Sequence, residues 1–142
     1  MKNFLTISSF LFLTLYSCNN SDQPASTDSE NDVDAARNFI RAALDGDYKK
    51  AKNFVLDDST NKQSLDLYEW NYNNNMSAED KKAYKAASIH LLETRQLNDS
   101  VTIVQYSNSY KDKKDSLRIL RLGGKWLVDL NFTFQKTDPI SK

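Results

Sequence analysis

Val33, Ala36, Phe39, Ile40, Ala43 and Leu44 recur at intervals of three and four, the spacing that gathers apolar side chains on one face of a helix. Asn31 or Asp32 can cap its start, and Gly46 can end it in the left-handed conformation. Asp47 offers a fresh cap. Tyr48, Ala51, Phe54 and Val55 then continue as a second short helix, which Asp57-Asp58-Ser59 breaks. Thr60 with Gln63 three residues on reads as a capping box. It opens a helix carrying Leu65, Tyr68 and Tyr72, which the run Asn73-Asn74-Asn75 stops or loosens. Ser77 begins another helical segment, through Tyr84 and towards Ala87.

Beyond Ser88 the period changes. Ser88 to Leu97 is β-like, Asn98-Asp99-Ser100 is turn chemistry, and Val101 to Tyr110 is rich in β-branched and aromatic residues. A charged connection, Lys111 to Asp115, leads to a third strand marked by Leu117, Ile119 and Leu120. Gly123-Gly124 signals a two-residue hairpin. In the last strand Trp126, Val128, Leu130, Phe132 and Phe134 are expected to point one way. Lys125, Asp129, Asn131 and Thr133 point the other, with Leu127 the apolar exception. Those strands need a dry surface, and the apolar stripe of the first helices is the available one. The expected fold is α+β: N-terminal helices packed on a curved, four-stranded antiparallel sheet.

The first residues follow a different rule. Lys2 precedes a 13-residue apolar run, Phe4 to Tyr16, then Ser17 and Cys18, after which the sequence turns polar. A spanning helix needs about 20 residues, so a secretory signal fits better than a transmembrane anchor. Having the lone cysteine at the cut resembles the lipobox of bacterial lipoproteins. The resemblance implies a signal peptide over residues 1–17, lipidation of Cys18, and a cell-envelope location, the outer membrane foremost. Acylation would use the only thiol, leaving none for a disulfide or a catalytic role. Residues 18–32 read as a flexible tether, long enough to hold a domain on the order of 20 Å from a membrane. The folded domain is expected over residues 33–136 and a tail over 137–142. With 19 basic and 19 acidic residues, no basic surface invites nucleic acid.

The helix pair FIRAALDGDYKKAKNFV, with its Asp45-Gly46-Asp47-Tyr48 elbow, and the hairpin LRILRLGGKWLVDL together resemble small bacterial lipoproteins with a cystatin-like domain of unknown function. Those domains belong to the nuclear-transport-factor-two-like superfamily. The resemblance implies a cone-shaped sheet with a pocket between sheet and helices, and it assigns no functional residues.

Candidate chemistry is sparse. His90 is the only histidine, flanked by Ile89 and Leu91 as in an ordinary strand, and no carboxylates are spaced to share a metal with it. Asp129 is expected to face solvent, whereas Asp66 and Glu69, near Trp70 on the third helix, could enter the pocket or equally lie on an exposed helix face; neither a catalytic pair nor a cofactor site is apparent. Tyr68, Trp70, Tyr72 and Tyr106 are the candidate binding residues, because Tyr and Trp join apolar area to one polar tip. Residues two apart on a helix do not share a face, so one of Tyr68 and Trp70 is expected to look outward. The sequence reading is therefore a non-enzymatic, lipid-anchored module for a small hydrophobic ligand or another envelope protein. The alternative is a pocket enzyme of isomerase, dehydratase or hydrolase type, using a carboxylate and a tyrosine. A carboxylate in the cone within reach of a tyrosine speaks for the enzyme; an apolar and aromatic lining speaks for binding. A third arrangement, a homodimer across the open sheet face, makes Leu127 the residue to inspect.

Overall fold

Asp32–Asp45 forms the first helix, α1, and both of its ends are stopped by side-chain and backbone chemistry. The computed structural model describes residues 28–134. Residues 1–17, Cys18, the expected tether up to residue 27 and the tail 137–142 lie outside the described residues. Asn31 caps α1, its side chain accepting from the Asp34 N–H at 2.9 Å. At the other end Gly46 is left-handed, with φ 73°. The Gly46 and Asp47 N–H groups return to the carbonyls of Ala43 and Ala42, at 3.1 and 2.9 Å. That is the six-to-one, five-to-two pairing of a Schellman ending.

Tyr48–Ala51 makes the one-turn α2, followed by a 3-10 turn at Lys52–Phe54. The next helices are α3, Ser59–Asn75, and α4, Ala78–Ala86. Four strands follow: β1 Ile89–Asn98, β2 Val101–Asn108, β3 Asp115–Leu122 and β4 Lys125–Asp129. They pair antiparallel in the order β1-β2-β3-β4, so the α+β arrangement expected from the periodicities is the one formed. Gly123 and Gly124, both at positive φ, close the β3–β4 hairpin as such two-residue turns require.

The core lies between α1 and the sheet. Phe39, Ile40 and Leu44 of α1 meet Val104, Leu117, Ile119, Val128 and Leu130 in one buried cluster. Ala35, Ala36 and Ala42, all fully buried, let the helix approach the strands closely. Polar contacts pin α1 along its length. Thr102 of β2 donates to the Asp32 carboxylate at 2.6 Å. Arg41 donates to the carbonyls of Ala87 and Lys85, tying the end of α4 to α1. Ordered contacts begin before Val33: Lys125 pairs with Asp28, and Asn38 donates to Ser29. The outer edge of β4 is covered, because Val55 bridges Val128 and the Leu56 N–H reaches the Val128 carbonyl. The other edge, β1, carries two register shifts, a device that blunts exposed edges.

Several expectations change. The α3 cap is Asp58, whose carboxylate accepts from the Asn61 N–H at 2.8 Å, and Thr60 lies inside the helix. A charged acceptor two residues earlier is the better complement to the helix N-terminus. The last strand ends at Asp129 instead of running on to Phe134, and Asn131–Phe134 turns into a short helix, α5. The cause is a side chain. Asp129 accepts from the Asn131 N–H two residues on, and Asn61 takes the Leu130 N–H, so the strand's donors are diverted from any ladder. Phe132 accordingly leaves the Trp126 face and lies under the Arg118 guanidinium.

Asp129 itself is buried at 4% exposure rather than solvent-facing. Its carboxylate is paired with Arg118 and also takes a long contact from Asn61. The outer sheet face is thus wet near β1 but sealed at the β4 end. Trp126, expected in the core, is half-buried with Arg121 over its ring. Leu127 is also half-buried, paired across the hairpin with Leu120.

Candidate functional site: a tyrosine-lined cavity

Helices and sheet do not meet everywhere. Where α1 and α2 end and α3 and α4 lean over the sheet, a cavity of about 660 Å³ is left. Tyr48, Tyr68, Tyr72, Tyr84, Tyr106 and Tyr110 line it, every tyrosine of the chain except Tyr16. Each arrives from a different local cause. Tyr48 follows the Asp47 cap and opens α2. Tyr68 and Tyr72 sit one turn apart on α3, continuing the buried stripe begun by Asn61 and Leu65. Tyr84 occupies the last turn of α4. Tyr106 alternates with Val104 on the helix-facing side of β2. Tyr110 lies just past β2, its N–H held by the Asn108 side chain at 3.1 Å.

Four of the rings touch in series. Tyr48 and Tyr72 meet edge-on at 5.7 Å, Tyr72 and Tyr84 at 6.2 Å, and Tyr84 and Tyr110 edge-on at 5.3 Å. Such contacts are worth about 0.5–1.5 kcal/mol each beyond area burial, so this wall links α2, α3, α4 and the end of β2. Lys81 lies over the Tyr72 ring at 5.2 Å, and the Tyr110 hydroxyl donates to Asp80 at 3.1 Å. The Asp80 carboxyl is held below its ordinary range, chiefly by the Ser77 hydroxyl and then by Tyr110.

Burial pushes the phenols the other way. Desolvation is the main cause of the upward shift of Tyr48, Tyr84 and Tyr106, and it takes Tyr68 to about 12. Neighbouring phenols and, for Tyr68, Tyr84 and Tyr106, the Asp115 carboxylate add to it. Tyr110 is raised mainly by its bond to Asp80. At neutral pH the wall therefore presents un-ionised hydroxyls, capable of donating hydrogen bonds.

Phe39, Ala43 and Leu117 supply apolar lining, and Asn71, Asn75 and Asn108 supply amides. The rim is the β2–β3 connection, where Lys111, Lys113, Lys114 and Asp115 border the opening. Asp115 pairs across the sheet with Tyr106 and lies within hydrogen-bonding reach of its side chain.

Of the residues singled out from the sequence, Tyr68, Tyr72 and Tyr106 come together here. Trp70 does not. It stands 55% exposed on the outside of α3, the outward partner expected of the Tyr68–Trp70 pair. His90 is exposed on β1, opposite Ser107, and Asp66 and Glu69 are exposed on α3. The sequence reading missed Tyr48, Tyr84, Tyr110 and Asp115. For Asp115 a signal existed: Asp115, Leu117 and Ile119 alternate, which places the carboxylate on the helix-facing side.

No family model matches the chain, and no curated protein or solved structure matches it either. Among the described residues there is no group of three or more His, Cys, Asp or Glu side chains able to hold a metal ion. Among them, too, no helix is long and apolar enough to cross a membrane.

Proposed function

We propose that the chain is a lipid-anchored cell-envelope protein whose folded domain binds a small molecule in the tyrosine-lined cavity, without turning it over. The observation that carries the binding half is the convergence of six tyrosines from five separate segments on one cavity. Core packing alone rarely recruits so many hydroxyl-bearing rings to one void, whereas ligand sites combine apolar faces with a few polar tips. The volume lies within the 300–1,000 Å³ range usual for small-molecule sites. The anchoring half rests on the N-terminal sequence, with Cys18 at the end of the apolar run.

The enzymatic alternative has one observation in its favour, a carboxylate at the cavity within reach of a tyrosine, Asp115 with Tyr106. Asp115 is nonetheless exposed at the rim beside lysines, whereas a carboxylate base raised toward neutral pH needs an enclosed apolar setting.

Two measurements test the proposal. Cys18→Ser should shift the protein from the membrane fraction to the soluble fraction of its host; unchanged membrane association would refute the lipid anchor. Native mass spectrometry of the protein purified from its host should show a reproducible small-molecule adduct. That adduct should be absent from Ala43→Trp, which fills the cavity wall; an adduct that persists in this variant sits elsewhere.

A further inference from the structure

The charge lining the cavity is unbalanced, three lysines against one carboxylate among the described residues, and the imbalance points to a ligand class. Among the described residues the hydroxyls of Tyr48, Tyr72 and Tyr84 have no hydrogen-bond partner, and no buried side-chain polar atom is left unsatisfied. Those three hydroxyls are therefore not sealed in the core, and all three residues line the cavity. The rim adds Lys111, Lys113 and Lys114, whose ammonium groups only donate. Among the described residues the one carboxylate lining the cavity is Asp115, which is within reach of Tyr106 and outnumbered three to one by the lysines. The apolar area comes mainly as ring faces and edges, set by the Tyr48–Tyr72–Tyr84–Tyr110 series.

From this we infer that the cavity takes a flat-ringed small molecule bearing a carboxylate, sulfonate or phosphate, with the ring against the tyrosines and the acidic group at the lysine rim. The inference rests on the binding reading above and specifies its ligand. Ring edges contact the tyrosines in the offset or edge-on geometries that aromatic pairs favour. Acceptor oxygens on the ligand complement the phenol donors, and the acid leaves the cavity toward water, where the lysines stand, so no charge has to be buried unpaired. Exposed ion pairs are individually weak, so the lysines provide discrimination more than affinity.

The test uses two probes with one ring system, 2-naphthoate and 2-naphthamide, titrated calorimetrically into the full-length protein. The anion should bind about tenfold more tightly than the amide at low salt, with the margin shrinking as ionic strength rises. Exchanging Lys111, Lys113 and Lys114 together for Gln should erase that margin and leave amide binding unchanged. Because all three side chains are exposed, the exchange does not threaten the fold. Ala43→Trp should abolish both. Equal binding of the two probes by the wild type would overturn the acidic-ligand inference and leave the binding module standing. Binding of neither probe at millimolar concentration would overturn both.

Discussion

Asn61→Ala should destabilise the domain by about 3 kcal/mol. Asn61 is fully buried at the start of α3. Its Oδ1 accepts from the Leu130 N–H at 2.6 Å, and its Nδ2 donates to Asp58 at 2.7 Å and more weakly to Asp129 at 3.4 Å. One side chain therefore joins the α3 cap, the end of β4 and the carboxylate that holds Arg118. Truncation leaves the Leu130 N–H buried without a partner, which costs about 1–3 kcal/mol, and leaves a small void beside it. For a domain of this size the melting temperature should fall by more than about 10 °C. Asn74→Ala is the matched control. Its amide bonds the Trp70 carbonyl in an exposed position, and its loss should stay within about 0.5 kcal/mol. Urea unfolding of both variants settles the comparison, and equal midpoints would remove Asn61 from its place at the junction.

Gly46→Ala should cost nearly as much, for a different reason. The left-handed backbone alone charges an alanine about 1–2 kcal/mol. At Gly46 a Cβ would also fall onto the ring and hydroxyl of Tyr72, closer than van der Waals contact allows. The ring cannot yield freely, because Tyr48 and Tyr84 hold it on either side. The combined loss should reach about 3 kcal/mol, with overpacking supplying the part beyond the backbone term. Gly123 and Gly124 separate the two contributions. Both have positive φ, but a Cβ on either meets nothing within 4 Å. Alanine there should cost only about 1–2 kcal/mol. Equal losses at Gly46 and Gly124 would mean that Tyr72 is not seated on the helix end, and the aromatic wall would lose its anchor.

The same residues show what could be read from the sequence and what could not. The limits of α1 were legible because their causes are local: Asn31 and Gly46 act on backbone groups a few residues away. The strands were legible from alternation, and so was the α+β fold. The end of β4 was not. It depends on Asn61, far away in the chain, capturing the Leu130 N–H while Asp129 turns back on Asn131. Alternation through Phe132 and Phe134 continued past the point where the strand stopped, because pattern records side chains and not where backbone donors go. Tyr68 and Tyr72 were legible as one face of α3, and Trp70 was separable from them by helical geometry. Tyr48, Tyr84 and Tyr110 carry no shared local pattern; only the packing of α2, α4 and the β2 end brings them to one void.

Five of these tyrosines, drawn from separate segments, share a poorly hydrated or hydrogen-bonded setting around one cavity. Phenolate absorbance near 295 nm, followed from pH 8 to 13, tests this most directly. An unfolded tyrosine ionises near pH 10. Tyr48, Tyr68, Tyr84, Tyr106 and Tyr110 are all raised above that, with Tyr68 at about 12. Between those values the unfolded chain has released protons that the folded one still holds, so stability is full below pH 10 and is lost as pH rises through the folded values. Phenolate from these five should form at higher pH in the folded domain than in the unfolded chain, and most of it should appear together with alkaline unfolding. Reversible ionisation of these five tyrosines near pH 10, with the fold intact, would contradict it.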